Sequence, residues 1–227
     1  MTTTGSPGGA NQNFSFPVSV LMFSGAYIFV ASIFALAAGN TEFVFYIIVM
    51  IVLSSVIILV HRRVLLTTSI LWCLSIWGLL HMAGGLVPVP EAWQTGGPIR
   101  VLYSLWLIPG FLKYDQLVHA YGFGITTWLC WQSLRAKIRN EISASGENIP
   151  SSEPLPSLGL MTLCTAGGMG FGAFNEVVEF VATLTIPNTN VGGYENTGWD
   201  LVFNLIGSVA AACVIARGGR RTTETGD

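Results

Sequence analysis

The chain has 227 residues, of which 52% are hydrophobic and only 10% are charged, whereas a soluble domain carries about 25% charged residues. This composition excludes a soluble globular enzyme, a nucleic-acid-binding protein and a disordered chain. It predicts an integral membrane protein that crosses the bilayer several times. The net charge of −2 indicates nothing about partners, but the distribution of the basic residues predicts a topology.

Apolar stretches divide the chain into six predicted transmembrane helices, since each crossing needs about 20 residues. In chain order the predicted spans are Val18–Ala38, Phe43–Val60, Val64–Leu80, Tyr114–Leu134, Leu158–Ile186 and Trp199–Ala216. The predicted fold is therefore an all-α, polytopic membrane protein, a bundle of about six transmembrane helices in one domain (residues 17–217). Residues 1–16 are predicted to be a flexible tail, residues 138–157 a flexible cytoplasmic loop and residues 218–227 a C-terminal tail.

One further apolar segment, Val101–Leu112, is too short to cross a bilayer and contains Pro109-Gly110. It predicts a short re-entrant or interfacial segment after the third span. A seventh crossing at this point would reverse the orientation of every later loop and spread the basic residues over both sides of the membrane.

The basic residues predict the orientation of the bundle. Two of the ten, Arg100 and Lys113, fall on one side of the predicted topology. The other eight fall on the opposite side: Arg62, Arg63, Arg135, Lys137, Arg139, Arg217, Arg220 and Arg221. Because cytoplasmic loops are enriched in Lys and Arg, we expect a plasma (inner) membrane protein of bacterial or archaeal type with both termini in the cytoplasm.

Ionisable residues at the span boundaries form a polar layer. They are His81, Asp115, His119, Glu176, Glu179 and Asp200. Each costs about 2.5–3.5 kcal/mol to insert near the bilayer centre, and the topology places all six at the extracytoplasmic ends of their helices. The i,i+4 and i,i+3 spacings within the layer put the paired residues on one helix face, which we expect to face the bundle interior.

Four interpretations of this layer follow from its chemistry. Imidazole and carboxylate ligands on facing helices suit a divalent transition metal such as zinc, manganese or iron. Acid–histidine chains in membranes also relay protons. The layer is equally suited to bind a lipid headgroup, or to form a polar network that sets the register of the helices.

For the metal interpretation, the predicted ligands are His81, His119, Glu176 and Asp200. Glu179 or Asp115 would act as general base in a metal-assisted hydrolase or transferase. The predicted substrate-binding residues are Asn204, Tyr194 and Asn175.

Four motifs within Leu80–Gly207 carry a family resemblance. They are His81-Met82-Ala83-Gly84-Gly85, Tyr114-Asp115-x-x-x-His119, Asn175-Glu176-x-x-Glu179 and Tyr194-Glu195-Asn196-Thr197-Gly198-Trp199-Asp200-x-x-x-Asn204-x-x-Gly207. In this order they resemble the YjdF-type inner-membrane family and, more distantly, the VanZ-like membrane proteins. The chain departs from the VanZ-like pattern at Gln116, where lysine is usual, and at Glu179, where glutamine is usual. VanZ-like proteins are associated with glycopeptide (teicoplanin) resistance, so the resemblance implies a role at the cell envelope.

The sequence therefore predicts a cell-envelope membrane protein with an outward-facing polar, metal-binding site that acts on or binds a lipid-linked molecule. Its expected partners are membrane lipids and an envelope substrate, and no nucleic acid. A proton- or ion-coupled transporter is one alternative, although the inner halves of the later spans lack charges. A structural or partner-binding membrane protein is the other.

Overall fold

The computed structural model describes residues 15–144, 154–187 and 189–224. Within them are six long helices: α1 Val18–Ala37, α2 Thr41–Val64, α3 Thr68–Leu86, α4 Tyr114–Ala144, α5 Leu158–Thr185 and α6 Tyr194–Glu224. The only strands in these residues are the short pair β1 Trp106–Ile108 and β2 Leu112–Lys113, which follow a 3-10 turn at Leu102–Ser104. The prediction of an all-α membrane protein is confirmed.

Four of the helices are long and apolar enough by themselves to cross a membrane. They are α1, α2, α3 and the part of α6 from Tyr194 to Gly219. The two helices outside this group, α4 and α5, carry four of the six ionisable residues of the predicted layer. Polar side chains that face other helices lower the mean hydropathy of a span without exposing it to lipid.

Helices α4 and α6 exceed their predicted spans by the most, and α3 (Thr68–Leu86) begins and ends later than the predicted Val64–Leu80. α4 continues to Ala144, so the beginning of the predicted loop 138–157 is helical, with an i,i+4 ion pair of 3.0 Å between Lys137 Nζ and Glu141 Oε1. Helix α6 begins at Tyr194, five residues before the predicted start at Trp199, and continues past the predicted end at Ala216. Residues 1–14, 145–153 and 225–227, which belong to the predicted tails and loop, lie outside the described residues.

The segment between α3 and α4 forms a small cap over one end of the bundle instead of a re-entrant helix. The predicted segment Val101–Leu112 contains the 3-10 turn and an antiparallel hairpin of β1 with β2. Its turn includes Gly110 with φ +70°, a conformation that glycine adopts at no steric cost. The Arg100 guanidinium stabilises the preceding loop by donating to the carbonyl oxygens of Pro90 (2.5 Å) and Trp93 (2.7 Å).

Helices α4, α5 and α6 pack closely against one another, and we call them the glycine-packed half. The α4–α6 pair makes the most extensive contact in the molecule. At its crossing the two backbones touch: a Cβ atom on Gly207 would lie 1.9 Å from the carbonyl oxygen of Ala120. One turn earlier on α6, Asn204 approaches α5: a Cβ atom on Gly172 would lie 2.6 Å from Asn204 Nδ2. Small residues permit this approach, which brings the polar faces of the three helices together.

Candidate metal centre

His119 of α4 lies at the centre of the polar layer and is 4% exposed. Its Nδ1 atom is 3.0 Å from Asn204 Oδ1 on α6 and 3.7 Å from Glu176 Oε1 on α5. Its Nε2 atom is 3.6 Å from Asp115 Oδ1, one turn earlier on α4. The imidazole therefore contacts a polar group on each helix of the glycine-packed half.

Two sets of potential metal ligands share His119. In one set, His119 lies with Asp115 and Asp200, and in the other it lies with Glu176 and Glu179. Within each set, one ligand atom from every residue is within 4.8 Å of the others. One imidazole nitrogen and two carboxylate oxygens form a donor set that suits zinc, manganese or iron.

Several buried polar atoms in this layer have no hydrogen-bond partner among the described residues. They are both carboxylate oxygens of Glu176, Oδ1 of Asp200 and Nδ2 of Asn204. Glu176 is 9% exposed, Asp200 1% and Asn204 fully buried. Leaving a buried carboxylate unpaired is costly, whereas a bound cation compensates its charge. The residues present therefore fit a divalent metal.

Side-chain amides hold two of the carboxylates. Asn196 donates to Asp200 Oδ2 at 2.6 Å and lies 3.5 Å from Asp115 Oδ2, so one amide links the acids of α4 and α6. Lys113 Nζ in turn donates to Asn196 Oδ1 at 3.2 Å. Neighbours of this kind orient metal ligands and tune their affinity. Sequence reasoning assigned no role to Asn196 or Lys113, although Asn196 lies one helical turn before Asp200.

The second ligand set has its own amide neighbour. Asn175 Nδ2 donates to Glu179 Oε1 at 3.0 Å, one turn away on α5. Asn175 and Asn204, both predicted to bind substrate, thus lie within the layer. Tyr194, the third predicted substrate-binding residue, is the first residue of α6 and is 95% exposed.

His81, a predicted metal ligand, lies outside both ligand sets. The Tyr103 hydroxyl is 2.6 Å from His81 Nδ1 and 2.9 Å from its carbonyl oxygen, and the Tyr46 ring packs edge-on against the imidazole. Burial, together with the nearby Asp115 carboxyl, raises the pKa of Tyr103 well above its usual range, so this hydroxyl keeps its proton. Tyr103 of the cap thereby contacts Nδ1 of His81.

Glu42, at the start of α2, is a further buried acid that sequence reasoning missed. It is 6% exposed, and its two carboxylate oxygens accept the backbone N–H of Asn190 at 2.9 and 3.0 Å. The sequence did contain a signal for this buried acid: Glu42 lies just before the predicted second span, two residues after the helix-capping residue Asn40.

These observations define a polytopic, all-α membrane protein with a buried layer of carboxylates around one histidine at one end of its helices. The model of the family described as "Predicted membrane protein (DUF2238)" matches residues 18–221, and the chain belongs to this family. The match reaches all six helices. Neither a curated protein nor a solved structure matches the chain.

Proposed function

We propose that this protein is a metal-dependent enzyme of the cell envelope that hydrolyses or transfers a group on a lipid-linked molecule. The observation that carries the proposal is the position of His119 between two acid pairs, in each of which the buried member, Asp200 or Glu176, has a carboxylate oxygen without a hydrogen-bond partner among the described residues. A purely structural network would have paired these oxygens, because an unsatisfied buried acceptor is destabilising.

The proposed ligands are His119 with Glu176 and Asp200, one from each helix of the glycine-packed half. Glu176 and Asp200 are the buried acids of the two separate ligand sets that share His119. His81, a ligand in the sequence-based hypothesis, is left out because it lies beyond both ligand sets. A divalent ion bound here would act as a Lewis acid and lower the pKa of water. Glu179 and Asp115 flank the ligands and are the proposed proton acceptors. Asn196 and Asn175 orient the carboxylates through their amide groups.

The outward orientation of the site is supported by the charges at the other end of the bundle. Arg62 and Arg63 end α2, and Arg135, Lys137 and Arg139 lie in the second half of α4. Both helices begin at the level of the polar layer. The positive-inside rule then places the layer at the outer face of a plasma membrane and both termini in the cytoplasm. The motif resemblance to VanZ-like proteins supports a role at the envelope.

Metal analysis tests the proposal directly. We expect detergent-purified protein to retain about one equivalent of a transition metal, and the Glu176→Ala and His119→Ala variants to lose it while remaining monodisperse. Glu141→Ala is the matched control, because this acid lies on the exposed part of α4, far from the layer in sequence, where it pairs with Lys137. Metal-free wild-type protein that is fully folded would contradict the proposal.

A proton-coupled transporter is the second candidate, because carboxylates lie within 3.7 Å of both nitrogens of His119 and could pass protons along the layer. Such a transporter must continue its pathway to the basic end of the bundle. A pH-sensitive dye inside proteoliposomes distinguishes the two functions. Proton flux that is abolished by His119→Ala would favour transport, whereas a one-sided enzyme produces no flux.

A further inference from the structure

A cavity of about 230 Å³ lies between α1, α2, α3, α4 and α5. Helices α2 and α5 both line it, but they are not among the helix pairs that pack extensively against each other. The cavity therefore marks the place where α1–α3, which we call the apolar half, separate from the glycine-packed half.

The wall of this cavity suits a hydrocarbon chain. None of the described residues that line it is charged. Several of its polar side chains bond within the protein: the hydroxyls of Ser24 and Ser75 are 2.5 Å apart, and Thr126 donates to the carbonyl oxygen of Gly122 at 2.8 Å. The indole N–H of Trp77 has no hydrogen-bond partner among the described residues. A polar ligand would find few groups to pair with, whereas an apolar chain would bury its surface at no polar cost.

The cavity opens on the surface of the bundle that faces the bilayer. Four of its lining residues are also well exposed on that surface: Leu21 (44%), Val56 (46%), Phe171 (55%) and Phe174 (57%). All four are apolar and lie on helices of membrane-spanning length. In the membrane, the molecules that meet this opening are lipids, and their chains have direct access to it.

The same cavity leads toward the metal centre. Trp77, Asn175 and Val178 line both the large cavity and a small adjoining one of about 20 Å³, which reaches Tyr46 and His81. Asn175 also donates to Glu179 of the polar layer. An apolar compartment and a polar, metal-binding layer are thus joined through one side chain of α5.

The dimensions agree with a single lipid chain lying along α2. The lining residues of α2 run from Val49 to Val60, a distance of about 16 Å at the helical rise of ~1.5 Å per residue. This is close to half of the ~30 Å hydrocarbon thickness of a bilayer. The direction is away from the polar layer, as a tail would extend from a headgroup bound there.

We infer that the cavity holds one acyl chain of a membrane phospholipid whose headgroup lies at the His119 layer. The inference rests on the proposed function and names its substrate class. A phospholipid is the occupant because the opening faces the bilayer between exposed apolar side chains. At its polar end the cavity is lined by Asn175, which donates to Glu179 of the layer, and a metal held by that layer would attract phosphate oxygens.

Photo-crosslinking tests this assignment. The probe is phosphatidylglycerol with a diazirine in one acyl chain, added to the full-length protein in detergent and mapped by mass spectrometry. We expect adducts on cavity residues such as Leu53 and Val178, and their loss when excess unlabelled phosphatidylglycerol competes. Adducts spread evenly over the outer face of α2 and insensitive to competition would overturn the inference. So would competition by a polyprenyl phosphate but not by the phospholipid, or protection by a second copy of the chain in a dimer.

Variants that fill the cavity supply the control for folding. Leu53→Trp and Val178→Trp should abolish the competable adducts, and Val52→Trp, on the 57% exposed neighbour outside the lining, should keep them. If the tryptophan variants are not monodisperse, the smaller Leu53→Phe must still reduce adduct formation. Metal content separates the two hypotheses: metal without competable adducts refutes the phospholipid alone, and adducts without metal refute the metal-dependent function alone.

Discussion

The two halves of the bundle differ in how their helices pack against one another. In the glycine-packed half, backbones touch at Gly124 and Gly207, and the side chains that meet beside them are polar. In the apolar half, large side chains such as Phe43 and Met82 form the core, and a cavity remains beside α2. The helix backbones approach closely where carboxylates from three helices meet, and they lie further apart where the facing side chains are apolar.

This contrast follows from the physics of the bilayer. Hydrophobic burial does not drive helices together in lipid, so association depends on close van der Waals contact and on polar bonds between helices. Glycines permit the van der Waals contact around Gly207, and the hydrogen bond between His119 and Asn204 is a polar bond between helices. In the apolar half, the close approaches to glycine are made by side chains, the Phe43 ring at Gly85 and the Tyr27 hydroxyl at Gly78, and not by a second backbone.

The largest effect should follow from breaking the α4–α6 crossing. Gly207→Leu would force a side chain into the Ala120 carbonyl, where even a Cβ lies at 1.9 Å. Because backbone must move, we expect destabilisation beyond the ~1–3 kcal/mol of ordinary overpacking, seen as aggregation or a large fall in Tm in detergent. Gly170→Leu, where a Cβ meets nothing within 4 Å, is the matched control, and equal loss in both would refute the tight-crossing argument.

An intermediate effect is expected from the amide that links the acids of α4 and α6. Asn196→Ala removes the donor to Asp200 and Asp115 while leaving all proposed ligands in place. Loss of such a neighbour typically weakens metal binding by about 10–100-fold. Titration with a competing chelator measures this affinity, and Asn140→Ala, on the far end of α4, serves as control. Unchanged affinity would remove Asn196 from the site.

The smallest effect should come from the contact between the cap and the apolar half. Tyr103→Phe deletes the hydroxyl near His81 Nδ1, a loss of about 1 kcal/mol for one hydrogen bond, with metal content unchanged. Because the pKa of Tyr103 is raised by burial, the hydroxyl stays protonated from neutral to mildly alkaline pH, and the stability difference between the variant and the wild type should be constant over that range. Loss of metal in this variant would return His81 to the ligand set.

Sequence reasoning predicted the elements with strong local signals. The span Leu158–Ile186 agrees with α5 to one residue, because a capping serine precedes the helix and Pro187 follows it. The i,i+4 spacing of Asp115 and His119 placed both on the face that the structure buries. The cap was predicted less well, since its hairpin depends on pairing between Trp106 and Lys113 and not on periodicity.

Hydropathy and helical period are local properties, so the sequence alone predicted an all-α membrane protein, the ionisable residues at the ends of its helices and their common level. Which of these residues meet depends on the tertiary structure. In the structure, His119 lies beside Glu176 and Asp200, His81 contacts Tyr103, and Glu42 is buried against Asn190. Those pairings depend on the distance between crossing helices and on the rotation of each helix about its axis. Glycines far apart in the chain determine this distance and this rotation.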